Sequence, residues 1–523
     1  MIRKPYSIET SFRQLGIATL TIWFFVTYFQ GGSRPDESEH CHAAWLMAVQ
    51  GLTPFTDFFQ HHSPMLWDVL ALFYRMGGDG VAVLFWGRVV SLACVMTVAW
   101  CVWKSLRLTA SAEDSQIPFS FVMLIFGTTS LLMNENFIIR PEIISCALFA
   151  LAWLFSRTIR IRGGYSPAEK ALGTFAAGAL YGLCVYSSPR FVLLAPLFAL
   201  GEWGRSRTDA LRTLGVFALG AAAAFAAYLR VDGLGFRDFY VHVLLFSAKL
   251  QKMGEAPRLR RFYWDRSFFS AAPLAATLFL CEFYRRRAPE RKVESGLWLA
   301  LVVTVMLASI GLSYPHTYPQ NFIPTILVML FAIVEVGRNF SWRKWEPTLK
   351  PALIVAFLWS ITTLTTDLRK WVFREHDIFS VYLEKSILLS HLQPGDTVLL
   401  PYDRHPIAAP DASFYAGYLE SEDRRQKAFS EWARTVAEMP PFDLIADLRE
   451  KKPKLIAPPS LLYVIPHNDR PELKEIRQTW YHHPYATDPR WEYSHIGIRR
   501  DFPRQVRVSA LPRLNKTDFK TFP

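Results

Sequence analysis

Long apolar runs, broken by short basic or polar stretches, constrain the fold of this chain more than any other feature. Hydrophobic residues make up 51% of the 523 residues, and aromatic residues make up 15%. A run of about 17 to 23 apolar residues is long enough to cross a membrane, where a helix satisfies its own backbone hydrogen bonds. The sequence therefore predicts an α-helical polytopic membrane protein with about eleven transmembrane helices. We place these helices at 15–30, 81–103, 117–133, 142–156, 171–188, 190–204, 213–230, 267–283, 295–312, 322–336 and 351–366.

The basic residues predict how these helices are oriented. Short cytoplasmic loops collect Lys and Arg, and Arg3, Lys4 and the run from Arg285 to Arg287 fall in alternate connecting segments. We therefore expect a multi-pass protein of the cytoplasmic (inner) membrane, with its N-terminus in the cytoplasm. An odd number of spans then places everything after Asp367 on the extracytoplasmic, or periplasmic, side. Few basic residues occur in the predicted outer loops at 31–80, 134–141, 187–189 and 313–321.

The chain changes character after the last predicted span, so we divide it into two domains. Residues 1–367 form the predicted transmembrane domain, and residues 368–523 alternate short apolar strings with polar stretches. Strings of about four to six residues beside Pro and Asp favour strands over membrane spans. This pattern predicts a soluble C-terminal α/β domain, and its nearly balanced charges give no indication of nucleic-acid binding. The strings lie at 396–400, 442–448, 453–457 and 461–466.

The predicted first outer loop, residues 31–80, concentrates acids, histidines and aromatic residues directly after an apolar run. Asp36 begins a helical pattern that runs to about Gln50 and has an apolar side suited to the membrane surface. A carboxylate just above the bilayer is positioned to take the proton of an acceptor hydroxyl, which is the work of a general base. The structural alternative is that the segment from Ser33 to Asp36 caps the helix.

The same loop raises the question of a metal site. On a helix, Asp36, Glu39 and His40 share one face, and together with His61 and His62 they offer ligands that a divalent metal accepts. These residues equally suit a hydrogen-bonded network that holds the base in place. We favour the network and therefore predict no cofactor and no metal.

Arginines near the predicted outer surface are candidates to bind the phosphate of an anionic lipid. Arg140 and Glu142 lie in a short outer turn, where an arginine can clamp a phosphate by charge-assisted hydrogen bonds. The alternative for Arg140 is an interfacial arginine that reaches to the head groups. Arg88 lies about 10 Å inside a predicted span, where a charge is costly unless it faces a wet cavity. The predicted outer loop at 232–266 is an exception to the preference of basic residues for cytoplasmic loops. Its basic residues could bind a lipid phosphate or lie on anionic head groups. They include Arg258, Arg260 and Arg261.

Several of these motifs together resemble a known family. The Asp36–Glu37 pair, the run from Gly51 to Phe59 and the His62-Ser63-Pro64 string resemble the first extracytoplasmic loop of GT-C-type membrane glycosyltransferases, of the protein-mannosyltransferase and aminoarabinose-transferase type. In that family the first acid of the pair is catalytic, and Asp36 matches it. Arg140 stands where family members often carry an arginine.

Two other loops relate to the same family. The SYPHTYPQN loop at 313–321 resembles the loop that many of these enzymes place over the donor, which implies donor contacts for His316 and Tyr318. Aminoarabinose transferases usually show a Glu-Lys-Pro-Pro-like string where this chain has His61 and His62. A histidine can hydrogen-bond the donor phosphate or protonate it as it leaves, because its unperturbed pKa lies near neutrality. The alternative is that one of the two histidines only packs beneath the loop.

The resemblance implies an enzyme, a hexosyl or pentosyl glycosyltransferase that inverts the anomeric carbon. It would move a sugar from a polyprenyl-phosphate carrier to lipid A, a glycan, a lipid or a protein on the outer face of the cytoplasmic membrane. The implied partners are this donor, an anionic lipid or glycan acceptor and membrane lipids, without nucleic acid. Two alternatives remain open, namely a lipid or sugar transporter or flippase, and a structural assembly factor. The implied catalytic residues are Asp36 and Glu37, and the implied donor-binding residues are His61, His62, Arg88, Arg140, Glu142, Arg258, Arg260, Arg261, His316 and Tyr318.

Overall fold

The computed structural model describes part of the chain, and every structural statement below concerns that part. Four predicted spans, at 15–30, 117–133, 267–283 and 351–366, lie outside the described residues, as do Arg258, Arg260, Arg261, His316 and Tyr318. The described residues are 35–58, 60–78, 80–109, 139–162, 164–202, 206–246, 292–313, 322–336, 385–386, 388–390, 392–400, 405–412, 444–456, 471–472, 475, 481–482 and 497–499.

Helices dominate the described part of the transmembrane domain. A single turn at Phe236–Asp238 continues into a π-helix at Phe239–Leu245, and a 3₁₀-helix at Pro189–Leu194 precedes a short α-helix. The other elements are regular α-helices. In chain order they are α1 (Pro35–Val49), α2 (Met65–Arg75), α3 (Ala82–Thr109), α4 (Pro141–Ile161), α5 (Pro167–Ser187), α6 (Ala195–Gly201), α7 (Arg207–Val231), α8 (Lys292–Ser313) and α9 (Ile323–Val336).

Within the described residues, three helices are long and apolar enough to cross a membrane. They are Ala82–Leu108, Pro141–Ile161 and Arg207–Val231, and they coincide with the spans predicted at 81–103, 142–156 and 213–230. The predicted spans at 171–188, 295–312 and 322–336 are helical as well, in α5, α8 and α9.

The segment at 190–204 does not form the continuous span that the sequence predicts. It divides into the 3₁₀-helix and the seven-residue helix α6. Pro189 and Pro196 each stand in the first turn of one of these pieces. A proline has no backbone N–H to donate and disrupts a helix interior, so two prolines seven positions apart break the segment into short elements.

Glycines allow α5 and α7 to approach closely. A Cβ atom added at Gly178 would lie 2.0 Å from the carbonyl oxygen of Phe217, and one added at Gly182 would lie 2.1 Å from that of Ala221. From the other side, a Cβ atom at Gly220 would lie 2.2 Å from the carbonyl oxygen of Phe175. Small residues at such contacts are typical of helix pairs in membranes, where close backbone packing replaces the hydrophobic effect as the source of association.

Helix α1 is enclosed on nearly every side, although the sequence predicted a helix lying on the membrane surface. Every residue from Glu37 to Leu46 is buried. Pro35 begins the helix, a position that proline favours because its missing N–H would have no helical partner. The apolar residues of α2 cover one side of α1, and the hydroxyl of Tyr74 donates to the carbonyl oxygen of Cys41 at 3.0 Å. Polar partners, described below, surround the remaining sides.

The C-terminal part contains a four-stranded sheet in the order β1 (Val398–Leu399), β2 (Leu455–Ile456), β4 (Gly497–Arg499) and β3 (Tyr481–His482). The strands β1 and β2 are parallel, and β2 and β3 each pair antiparallel with β4. The predicted strings at 396–400 and 453–457 contain β1 and β2. The extent of the predicted α/β domain stays a prediction.

The strand predicted at 442–448 is wrong. Residues Leu444–Lys451 form a helix, α10. Leu448, on this helix, is fully buried. Charged residues fill the last turn. The string at 461–466 lies outside the described residues.

Candidate active site at the start of α1

The first turn of α1 carries two carboxylates, and each one pairs with an arginine. Asp36 Oδ2 accepts a hydrogen bond from Arg140 Nη2, and the two residues are 104 positions apart in the sequence. Pro141 begins α4 directly after Arg140 and restricts the backbone of Arg140 to the extended conformation that it has. The Asp36 side chain keeps 38% of its surface exposed, whereas that of Arg140 keeps 14%. Asp36 is therefore reachable from outside the protein while it is paired.

The second carboxylate, Glu37, is enclosed. Arg88 donates to it from Nε at 3.0 Å and from Nη2 at 2.7 Å, one bond to each carboxylate oxygen. The backbone N–H of Ile139 also donates to Glu37 Oε1, at 3.3 Å. This two-pronged pair is the geometry that arginine and carboxylate favour. It fixes the first turn of α1 against α3 and against the residues that lead into α4.

The pairing with Glu37 accounts for the arginine that the sequence placed inside a span. We expected Arg88 to face a wet cavity because an isolated charge is costly there. In the structure Arg88 is buried against Glu37 instead. The roles of Arg88 in donor binding and of Glu37 in catalysis stay predictions, and their geometry fits the positioning of α1.

His40 has a single possible arrangement of its proton. The indole N–H of Trp67 donates to His40 Nδ1 at 3.0 Å. The proton of the neutral ring must therefore lie on Nε2. Burial lowers the pKa of His40 to about 3, so the ring is neutral at neutral pH. His40 Nε2 is buried, and it has no hydrogen-bond partner among the described residues. With one nitrogen accepting from Trp67 and the other protonated, His40 does not fit a metal site.

The remaining candidates of the loop form a cluster beside α1. Ligand atoms of Glu39, His61 and His62 all lie within 4.8 Å of one another, which is close enough to hold a metal ion. Burial raises the pKa of Glu39 to about 8 and lowers that of His61 to about 4, and it also lowers the pKa of His62 well below its usual range. At neutral pH the cluster is therefore largely uncharged, and both histidines can offer one N–H and one lone pair.

The turn that leads to these histidines contains the Gly51 to Phe58 part of the family-like motif. Gly51 has φ +67°, a conformation that glycine adopts without strain. The carboxylate of Asp57 accepts from the backbone N–H of Thr53 at 2.7 Å, and Phe55 N–H donates to the carbonyl oxygen of Phe58 at 3.0 Å. These contacts give Asp57 a structural role, namely closing the turn beside the cluster.

Arg190 joins this site, although the sequence analysis did not single it out. Arg190 Nη1 donates to Glu142 Oε1 at 3.1 Å, and Glu142 stands in the first turn of α4. Arg190 is the first residue of the span predicted at 190–204. The available signal was the Ser187 to Arg190 string, in which Pro189 ends a helix next to a basic residue at a predicted outer turn.

The C-terminal segment 405–412 reaches α1 through His42. His42 Nδ1 donates to the carbonyl oxygen of Ile407 at 2.6 Å, and Nε2 donates to Asp411 Oδ2 at 2.8 Å. His405 Nε2 lies 3.1 Å from the other Asp411 oxygen, and His405 Nδ1 accepts from the backbone N–H of Ile407 at 3.0 Å. Sequence reasoning missed His405 and Asp411, because no local pattern relates them to α1.

Ligand atoms of His42, His405 and Asp411 also lie within 4.8 Å of one another, which is close enough to hold a metal ion. His405 Nδ1 accepts a hydrogen bond, which leaves the proton of the neutral ring on Nε2. His405 therefore has no lone pair to offer a metal here, and its N–H faces Asp411.

The comparison with solved structures identifies a known membrane-protein fold for this chain. Two solved structures of ArnT from Cupriavidus metallidurans share it. The structure bound to undecaprenyl phosphate is 12% identical in sequence with a TM-score of 0.55, and the apo structure is 14% identical with a TM-score of 0.52. Each comparison covers 87% of this chain and 94% of the ArnT chain. No protein-family model and no curated protein sequence matches this chain. The predicted resemblance to an aminoarabinose-transferase-type fold is thus confirmed, and the roles of the first-loop residues stay predictions.

Proposed function

We propose that the chain is a GT-C-type glycosyltransferase that transfers a sugar from a polyprenyl-phosphate carrier to an acceptor of the cell envelope. The observation that carries this proposal is the Asp36–Arg140 pair, where a partly exposed carboxylate and a guanidinium meet at the N-terminal ends of α1 and α4. The ArnT-like fold supports it, since one of the ArnT structures contains undecaprenyl phosphate.

In the proposed reaction Asp36 is the general base. The acceptor oxygen attacks the anomeric carbon and its proton passes to Asp36. The bond from that carbon to the phosphate oxygen breaks, and the electron pair stays on the phosphate. A single displacement of this kind inverts the anomeric carbon. Cationic donors near the phosphate stabilise the developing charge, a contribution that is often the largest in such reactions, and Arg140 lies beside the base.

His61 and His62 take a narrower role in this proposal than the sequence suggested. Burial keeps both rings neutral, so at neutral pH each can donate one hydrogen bond to a phosphate oxygen without adding positive charge. A neutral ring is a poor proton donor to a phosphate that leaves as an anion. We therefore assign these histidines to binding.

No cofactor is part of the proposed chemistry. Asp36 is engaged by Arg140, and neither nitrogen of His40 suits a metal ion. Glu39, His61 and His62 are the neighbouring residues whose geometry would accept one. Metal analysis of the purified protein, with chelator-treated protein as the comparison, separates the two possibilities.

We further propose the topology that the charges predict, with a cytoplasmic N-terminus and residues 368–523 on the extracytoplasmic side. In this arrangement the C-terminal domain shapes the access of the acceptor and supplies no catalytic group. The contact of segment 405–412 with His42 supports this role, because it brings that domain onto the helix that begins with Asp36.

The experiment that tests the function is transfer by purified protein in detergent. Membrane lipids and glycans from cells with and without the gene identify the missing sugar by mass, and the corresponding polyprenyl-phosphate sugar and acceptor are then incubated with the protein. A glycosylated product formed in micelles supports an enzyme, because micelles have no two compartments between which a transporter could act. A sugar that is missing in cells but not transferred in micelles would favour the transporter or flippase.

A further inference from the structure

Arg190 has hydrogen-bonding capacity that the described part of the chain does not use. A guanidinium carries five N–H donors, and within the described chain its one hydrogen-bond partner is Glu142, through Nη1 at 3.1 Å. The Arg190 side chain keeps 27% of its surface exposed, and that of Glu142 keeps 9%. The guanidinium is thus held from one side by a buried carboxylate and is open on another.

The surroundings of Arg190 are those of the candidate site. Burial lowers the pKa of Arg190, and the nearby charge of Arg140 lowers it further while Glu142 opposes the shift. Arg190 in turn contributes to the lowered pKa of His61 and of His62, after the larger effect of burial. Glu142 follows Arg140 by two positions at the start of α4, so the Glu142–Arg190 pair lies beside the Asp36–Arg140 pair.

Arg190 is better suited than Arg140 to bind an anion, because its charge is engaged on one side only. Arg140 is committed to Asp36, which must remain available as a base. Among the described residues, Arg190 therefore offers cationic donors that an incoming anion can meet without displacing a partner.

We propose that Arg190 binds the phosphate of the polyprenyl-phosphate donor and that Glu142 holds its guanidinium in place. A guanidinium matches two phosphate oxygens with two parallel hydrogen bonds. The N–H groups of His61 and His62 complete the site from the loop. As the bond between the sugar and the phosphate breaks, Arg190 stabilises the charge that stays on the phosphate oxygen. This assignment rests on the proposed function and adds the residue that recognises the donor.

The test is equilibrium binding of undecaprenyl phosphate to the purified full-length protein in detergent. Arg190→Ala should weaken binding about 10-fold or more, the size expected when a charge-assisted phosphate contact is lost. Arg230→Ala removes an exposed arginine from the last turn of α7, and as the matched control it should bind within about 2-fold of the unchanged protein. Unchanged binding by a folded Arg190→Ala protein would overturn the proposal.

Loss of Arg190 leaves the buried Glu142 without this partner, so misfolding must be separated from lost binding. The Arg190→Ala/Glu142→Gln double variant removes the unpaired charge. If the double variant restores thermal stability and still binds weakly, Arg190 contacts the phosphate. If it restores stability and binding together, Arg190 has only a structural role and the proposal fails.

Two further ligands show which part of the donor the protein recognises. Undecaprenol, which lacks the phosphate, should bind equally weakly to the unchanged protein and to Arg190→Ala. Inorganic phosphate should compete poorly, because it lacks the chain, and equal affinity for it would overturn the assignment to a lipid donor. If the unchanged protein binds no undecaprenyl phosphate at all, the proposed function itself fails. If it binds the lipid and transfers sugar but Arg190→Ala is normal, the role of Arg190 alone is wrong.

Discussion

His42 on α1 and Asp411 in the C-terminal segment form a hydrogen-bonded ion pair, with 2.8 Å between Nε2 and Oδ2. The other nitrogen of His42 donates to the carbonyl oxygen of Ile407. Burial alone would raise the pKa of Asp411, but the imidazoles of His42 and His405 hold it below its usual range. The helix that carries the candidate base is thereby attached to the C-terminal part of the chain.

We expect His42→Ala to destabilise this attachment. Removing one member of a buried charged pair commonly costs about 3 to 5 kcal/mol, because the other charge is left uncompensated. Combining it with Asp411→Asn should cost clearly less than the sum of the two single changes. The free energy of unfolding of the four proteins, obtained from denaturant titration in detergent, measures this coupling. Additive effects would mean that the two residues do not interact.

The neutral state of His61 predicts a dependence of stability on pH. In the unfolded chain the ring takes up a proton near pH 6.5, whereas in the folded protein burial delays protonation until about pH 4. Protons therefore favour the unfolded state between these values, and the contribution of His61 to stability falls as the pH drops from about 6.5 to 4. The slope approaches about 1.4 kcal/mol per pH unit for one group.

The measurement is the difference in unfolding free energy between the unchanged protein and His61→Gln at several pH values. Taking the difference cancels the contributions of other titrating groups, including Glu39, whose raised pKa acts in the opposite direction. A difference that stays constant from pH 7 to pH 4.5 would contradict a His61 that is neutral in the folded protein.

Asp36→Asn should leave the fold intact and lower the rate of sugar transfer by about 100-fold or more, a typical contribution of a general base. The amide can still accept a hydrogen bond from Arg140, but it cannot take the proton of an acceptor. The assay compares turnover at saturating donor with binding of undecaprenyl phosphate, which we expect to change little. Near-normal turnover by Asp36→Asn would remove this residue from the mechanism.

The close contact of α5 with α7 can be tested with a pair of glycine substitutions. Gly182→Ala places a Cβ atom 2.1 Å from the carbonyl oxygen of Ala221, so the helices must separate. We expect a loss of about 1 to 3 kcal/mol, as for overpacked cores. Gly215→Ala, in α7, meets nothing within 4 Å and should stabilise the helix slightly. Thermal unfolding in detergent compares the two, and equal midpoints would argue against this packing.

The local parts of this fold follow from the sequence. Apolar runs of sufficient length predicted α3, α4 and α7. The concentration of acids and histidines in the first outer loop drew attention to Asp36 and the histidine cluster, and Arg140 was a candidate from a separate outer turn. The sequence also indicated that Arg88 needs a compensating environment, since a charge within a span is costly. It did not identify Glu37 as the partner, because the two residues meet only after α1 packs against α3.

The residues that the sequence did not predict were missed for physical reasons. His405 and Asp411 contact α1 across more than 360 positions of chain, and a single sequence carries no signal for such pairs. Arg190 was read as part of a span, since its apolar successors outweighed one charge. The strand predicted at 442–448 failed because a short apolar string fits either a strand or one face of a helix.

Because His42 and Asp411 are separated by 369 positions, their hydrogen bond forms late in the synthesis of the protein. Helix α1 emerges from the ribosome early, but the residues that complete its hydrogen bonds are synthesised only after the whole transmembrane domain. During that interval the imidazole of His42 and the polar residues beside it must find water or a temporary partner. The helix with the proposed base thus reaches its final surroundings among the last steps of biogenesis, and a chain interrupted before residue 405 would be inserted without a finished site.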